Sequence, residues 1–534
     1  MRVYRRVRGD FPYPFSIHKG WPLISQAAAS SSPPRCLILI LKSIVRYIQL
    51  NSYLDTDKKI VSEIYTSSEP MDNLKVLCDI YESRWPGTPG DLASVKWMVE
   101  KLKSYGIENA RYEAFTFPGW RRGPAELEMK APFKRALECI SLPQSLPGEV
   151  EGKIVFLGDG PVEIYEEMKE EIKGNIVMVT SRNPLGMTRS LHRSEKFMRS
   201  VLAGAKGWIF MNHYKATGPP TGTIAPVIPS IGVSWEVGTF LKRRLDEGEE
   251  VRVRIKTTDE NIEVETYNVV CDIPGTSGED VHVLTGSHYD GHDISHGALD
   301  PASGTVTVME MARVLNMVKD KVKRKIRFVC FGAEEIGLYG SYNYIMMHRD
   351  EVKDMRFMLN LDAAGGPGRK GVVFNGHPEL EPYISEMAKE MKVELPAGQR
   401  TSPYGDNWPY FVNGIPGGGG GDPEAVRTRT GRGYGHTRYD TVDKLDLEDL
   451  RKAAANFARF LLRVANEEDW PARHKTEKEV QAFIEEKGFA ETVHLANRVK
   501  DYVSKWDNLH PDTKDWLKRR PTGGMSSAYV PSSE

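Results

Sequence analysis

From about residue 268 the chain alternates short apolar runs with amphipathic helical stretches, the signature of an α/β sheet covered by helices. VHVLTG from Val281 to Gly286, KIRFVCF from Lys325 to Phe331 and MRFMLNL from Met355 to Leu361 read as largely buried strands. Between the first two, Val308, Met311, Ala312, Leu315 and Val318 fall on one helical face. Leu447, Leu450, Ala454, Phe457, Leu461 and Val464 form another such face. At 534 residues the chain exceeds the size at which a single core stops growing, so more than one domain is expected.

The pattern changes along the chain. Residues 1–57 form a basic extension in which Arg2, Arg5, Arg6, Arg8, Lys19, Arg35, Lys42 and Arg46 face a single acid, Asp10, within the first 50 residues. It partly resembles a transit peptide in composition, but a poorly ordered extension is the preferred reading. Residues 58–137 and 261–466 read as two parts of one catalytic domain. Between them, 138–260 carries β-rich runs (KIVFLGD, NIVMVT, GWIFMN) separated by Gly and Pro, and is expected to be an α/β insert. Residues 467–534 are charged and helical, with a polar tail.

A formal charge of −1 gives no global electrostatic argument for nucleic acid or membrane binding. The apolar stretch CLILIL is interrupted by Lys42 and Arg46 and is too short to span a bilayer. The five cysteines are scattered and never spaced as CxxC. That pattern argues against a disulfide framework or a thiolate metal site, and for a reducing, cytoplasmic setting.

The chemistry-bearing residues gather where strands end. VHVLTG runs into Ser287, His288, Tyr289 and Asp290; KIRFVCF runs into Glu334 and Glu335; MRFMLNL runs into Asp362. Carboxyl ends of strands form the ligand crevice of an open α/β sheet, so residues remote in sequence converge there. Asp300 lies in the loop before the next helix, and His436 in a later Gly-rich loop. His288, Asp300, Glu335, Asp362 and His436 supply two imidazoles and three carboxylates without a thiolate. That set suits two divalent metals, with zinc preferred and cobalt or manganese as alternatives. Asp290 is placed to orient His288. Glu334 and Glu335 are adjacent at the end of an extended strand and point in opposite directions, so they have different jobs. One can bind metal while the other takes a proton from water; strand geometry does not say which.

At these positions the chain resembles the co-catalytic di-zinc exopeptidases that include bacterial leucyl aminopeptidases and glutamate carboxypeptidase. GSHYD, GALDPASG, FGAEEIGLYGS, NLDAAG and GHTRYDT match that family's motifs in order. The resemblance implies a three-layer αβα peptidase domain with a mixed, largely parallel sheet. It implies that His288 and Asp362 bind one zinc, Glu335 and His436 the other, and Asp300 both. Glu334 is then the general base and Asp290 the acid behind the ligands. It also implies a cis peptide after Asp300, which Pro301 makes less costly. EGKIVFLGD, AGAKGWIFMN and IPSIGVSWEVGTFL are similar to a protease-associated domain, many of whose bearers are exported.

The activity implied is exopeptidase action on a peptide substrate, with an aminopeptidase preferred over a carboxypeptidase or dipeptidase. A one-zinc glutaminyl cyclase of similar fold would not need the half-site of His288 and Asp362. A non-catalytic receptor is the reading from another class, and a homo-oligomer is compatible with either. GDNWPYF from Gly405 reads equally as pocket wall or surface turn, and Gly417–Gly421 as a flexible loop. Arg427, Arg429 and Arg432 are expected to be a solvated basic loop. His292 and His296 are expected to be polar loop residues outside the metal site.

Overall fold

The structure, a computed structural model, describes residues 53–187, 189–424 and 434–519. The three apolar runs become neighbours at the centre of an eight-stranded sheet. His282–His288 lies between Lys325–Phe331 and Met355–Asn360, parallel to both. Gly417–Gly420 continues the parallel set beside Met355–Asn360. This glycine run, expected to be a flexible loop, is therefore a strand. A Cβ on Gly417 would stand 2.6 Å from the Met358 carbonyl oxygen, and one on Gly418 2.4 Å from that of Val373. Only glycine lets the backbone enter between its neighbours. Antiparallel strands Arg111–Arg121 and Glu260–Ile273 complete one edge, and Val372–Phe374 and Ala397–Gln399 the other.

The period of two along each strand separates the layers. Phe357 faces the helix Leu447–Asn466, with its ring 5.8 Å from that of Phe460. Its neighbour Met358 points the other way, into a cluster with Tyr344, Ile345 and Tyr410. Ser303–Asn316 packs beside Leu447–Asn466, while Tyr339–Met347 packs with Asn407–Val412. GDNWPYF is thus mostly helix, with Trp408, Tyr410 and Phe411 buried. The result is the expected αβα sandwich around a mixed sheet.

A second eight-stranded sheet forms the insert. It begins at Ala125–Ala131 rather than at 138, because that strand pairs antiparallel with Arg252–Thr257 and with Arg135–Leu137. Alternation in AELEMKA places Leu127 and Met129 in a core with Ile209, Val253 and Ile255. The insert leaves the catalytic sheet after Arg121 and returns at Glu260, and these two residues are register partners. A paired two-strand stem therefore fixes its position.

Both ends of the described chain join this framework. Residues 53–66 are already helical, and Asp57 pairs with Arg463 at 2.9 Å, so the expected extension contributes its last residues to the fold. Glu477–Glu486 starts with a capping box from Thr476 and Glu479 and buries Val480 and Ile484 against Trp408 and Phe411. Ala490–Val503 places Leu495, Val499 and Val503 in the insert's core. The C-terminal helices thus touch both the catalytic layers and the insert. Among the described residues no helix is long and apolar enough to cross a membrane.

Candidate metal centre

Each residue singled out at a strand end arrives at one crevice. His288 is the last residue of its strand, Glu334 and Glu335 follow Lys325–Phe331 by a short turn, and Asp362 follows Met355–Asn360. Asp300 comes in from the turn before Ser303–Asn316, across a cis bond to Pro301 as the resemblance implied. Ala333, Asp362 and His436 all have positive φ, at 58°, 22° and 61°. Such conformations in non-glycine residues are characteristic of functional sites held by their surroundings.

Two groups emerge, His288 with Asp300 and Asp362, and His292 with Glu335 and His436. Asp300 links them: its Oδ1 is 3.4 Å from His288 Nε2 and its Oδ2 is 3.2 Å from His436 Nε2. His436 Nε2 is also 3.5 Å from Glu335 Oε2, and His288 Nε2 is 3.9 Å from Asp362 Oδ1. All four separations exceed the usual N–H···O distance of about 2.9–3.0 Å. Ligands held tetrahedrally at zinc's bond lengths sit roughly 3.3 Å from one another. Glu335 Oε1 is buried with no hydrogen-bond partner among the described residues. Carboxylate oxygens and imidazole nitrogens that converge at such separations fit the donor set zinc prefers.

The residues behind the donors are also ordered. His288 Nδ1 donates to the backbone oxygen of Asp290 at 3.0 Å, which directs Nε2 into the site. The Asp290 carboxylate is 3.6 Å from that nitrogen. Its two oxygens instead accept from the backbone N–H groups of Glu334 and Glu335, at 3.1 and 3.2 Å. Asp290 therefore orients the histidine through its carbonyl and fixes the Glu-Glu turn through its side chain. Asp440 does the same for the linking carboxylate, accepting from Leu299 N–H at 2.7 Å and Asp300 N–H at 3.0 Å.

The two glutamates differ, but not by strand alternation: the strand ends at Phe331, and they lie in the turn beyond Ala333, whose φ is 58°. Glu335 is 3% exposed and lies with His436 and His292, whereas Glu334 is 12% exposed with Oε2 4.0 Å from His288 Nε2. Burial pushes the Glu334 carboxyl well above its ordinary range, with His288 opposing the shift and Glu335 adding to it. Burial likewise raises Glu335 to about 8, against the effect of His288 and Arg193. So many enclosed carboxylates call for positive charge at their centre.

Four contributors were not legible in the sequence. Arg193, from the insert, places Nη1 3.2 Å from His436 Nδ1. A Cβ on Gly222, whose φ is 137°, would stand 2.0 Å from Arg193 Cζ, so only glycine lets the guanidinium lie there. Thr223 Oγ1 donates to the Glu335 backbone oxygen at 2.6 Å, and Thr221 N–H to that of His436 at 2.9 Å. Buried Arg84 binds the carbonyl oxygens of Tyr289 and Gly297 at 2.7 and 3.2 Å and so ties down the loop between them. None of the four belongs to a local motif, whereas Asp440 sits in GHTRYDT and was available to inspection.

His292 and His296 part company. His296 is 40% exposed on its side chain and lies 3.9 Å from Asp79, away from the site. His292 is 1% exposed and inside it, which corrects the expectation of a polar loop residue. Burial holds His292 well below the ordinary histidine value. Its ring is stacked on Trp85, 5.8 Å between centroids, and this packing encloses it. Arg427, Arg429 and Arg432 lie outside the described residues.

Comparison with known proteins agrees with this architecture. Residues 268–461 match Peptidase family M28, and residues 123–241 match the PA domain. The chain is 26% identical to aminopeptidase YwaD of Bacillus subtilis over 349 residues, covering 63% of this chain and 73% of that protein. It is 23% identical to carboxypeptidase Q of Bos taurus over 443 residues, 79% of this chain and 91% of that protein. Among solved structures, a peptidase M28 precursor from Shewanella amazonensis superposes with a TM-score of 0.69 at 22% identity. The match covers 80% of this chain and all of that one. A zinc aminopeptidase from Bacillus subtilis gives 0.58 at 22% identity, over 73% and 93%.

Proposed function

We propose that this metallopeptidase, a family M28 catalytic domain with a PA domain inserted, is a zinc-dependent exopeptidase that removes residues from the N-terminus of peptides and uses two zinc ions. The observation that carries the reading is Asp300, whose two oxygens each face a different histidine. One carboxylate so placed can serve two ions. His288 and Asp362 would hold one of them, Glu335 and His436 the other. Zinc bound there supplies Lewis acidity for the scissile carbonyl and lowers the pKa of water.

The protein's own groups do the rest. Glu334 stands at the crevice edge, its backbone N–H fixed by Asp290, with a carboxylate able to take a proton from the attacking water and pass it to the leaving amine. Glu335 points inward and is occupied with His436, which leaves proton transfer to Glu334. Asp362 is 30% exposed on its side chain, but as a zinc ligand its charge is offset by the ion and does not select the substrate's end. The aminopeptidase reading is supported by the likeness to aminopeptidase YwaD of Bacillus subtilis.

Carboxypeptidase action is the second reading, favoured by Arg193, which brings a cation to the same crevice from the insert. Both activities occur by name among the relatives, an aminopeptidase in Bacillus subtilis and carboxypeptidase Q in Bos taurus. A peptide panel in free, N-acetylated and C-amidated forms, with products identified by mass, separates the two. Aminopeptidase action predicts that acetylation abolishes cleavage and amidation does not. The reverse pattern would establish the second reading.

A further inference from the structure

The crevice contains one more imidazole than the five-residue ligand set uses. His292 Nε2 is 2.9 Å from Glu335 Oε2, yet neither ring nitrogen of His292 makes a hydrogen bond among the described residues. The distance suits a hydrogen bond, so the direction must fail: an N–H in the ring plane at Nε2 does not point at that oxygen. A buried polar group without a partner is costly, and native proteins rarely leave one. Two donor atoms side by side, neither aimed at the other, share a target when both point at a third position.

The surroundings fix the ring in this pose. The stacked indole of Trp85 is itself anchored by Nε1 donating to the Trp120 carbonyl oxygen at 3.1 Å. On another side the ring meets His436 edge to face, 4.5 Å between centroids. The loop that carries His292 is tied by Gly291 N–H to the Ser83 carbonyl oxygen at 2.8 Å, next to Arg84. His292, Glu335 and His436 thereby offer ligand atoms all within 4.8 Å of one another.

We infer that His292 is a sixth metal ligand, completing the site held by Glu335 and His436. With Asp300 shared, that site draws on two imidazoles and two carboxylates, and the other on His288, Asp362 and Asp300. The two sites are therefore unequal: the one containing His292 is closed by protein donors and binds its ion more tightly, and the one containing His288 keeps an open position for substrate chemistry. The inference rests on the two-metal reading above.

The test is metal binding to the full-length protein stripped by chelator. Wild type and His292→Ala are titrated with Zn2+ and Co2+, with bound metal counted by mass spectrometry and cobalt absorption recorded. The inference predicts that wild type fills two sites of different affinity. In His292→Ala the tighter step should weaken at least 100-fold and its cobalt spectrum change, with added imidazole restoring both. His292→Asn, which preserves polarity and most of the packing, should show the same weakening without a lower melting temperature. If wild type binds two ions and both variants bind both within twofold of wild-type affinity, His292 is not a ligand. If wild type binds no metal, the two-metal reading itself fails.

Discussion

The two eight-stranded sheets are built alike and used differently. In the catalytic sheet His288, Glu335 and Asp362 stand at or just beyond the carboxyl ends of three adjacent parallel strands. The insert also has adjacent parallel strands, Ile176–Thr180, Gly207–Met211 and Ser230–Val233, but their ends carry Ser181, Asn212 and Ser234. Ser181 and His213 satisfy each other at 2.6 Å, and Ser234 caps the next helix. The same architecture thus makes a metal crevice in one place and a self-satisfied wall in the other. What the insert adds to the crevice is its edge: Arg193, Thr221 and Thr223. The candidate ligands thus come from the catalytic domain, and the insert contributes residues at their edge.

This division can be attacked from the chemical side first. With Glu334 as the proposed proton-transfer group and not a metal ligand, Glu334→Gln should lower kcat by about 10²–10⁴-fold while metal content stays at the wild-type value. A variant near wild-type rate would reassign the base. Next is Trp208→Ala in the insert's core, where the indole is fully buried against Phe197 and Phe210. A loss of about 3–5 kcal/mol is expected, read by denaturant unfolding. A single cooperative transition would mean that the two sheets unfold together, coupled by the stem and the C-terminal helices, and two transitions would mean that they unfold separately.

On the carboxypeptidase reading, Arg193→Met should raise KM about tenfold or more for peptides with a free C-terminal carboxylate and leave C-amidated ones nearly unchanged, as expected for loss of one charged contact. On the aminopeptidase reading both forms should change alike. Equal effects on both would remove the insert from selectivity. The smallest effect concerns Asp91, which accepts from Tyr289 Oη at 2.6 Å, Thr266 Oγ1 at 3.0 Å and Gly87 N–H at 2.9 Å. Burial pushes its carboxyl up to about 7 despite these donors. The native state then binds a proton that the unfolded state releases, so this group's contribution to stability falls between about pH 4 and pH 7. Asp91→Asn should flatten that slope in melting temperature against pH.

The sequence was most informative where chemistry and periodicity coincide. Strands with acids and histidines at their ends pointed to the sheet and the crevice, whereas Glu334 and Glu335 diverge in the turn after Phe331 and not by strand alternation. It was least informative where a role depends on a distant partner. His292 is separated from His436 by most of the catalytic domain, and nothing local reveals that Trp85 encloses it. Arg193 meets His436 from a helix of the insert, 243 residues away in the chain. The glycines of 417–420 read as a loop because the neighbours they admit, Met358 and Val373, lie on other strands. Asp290 was legible as an orienting acid, but not that its carbonyl rather than its carboxylate meets the imidazole.

The central claim is that the crevice works with two ions joined by Asp300. Its most direct test is zinc content measured against hydrolysis of an unblocked peptide as the chelated protein is reloaded. The account predicts two equivalents at saturation, with full activity reached only as the second is bound. Full activity at one equivalent or none would contradict it.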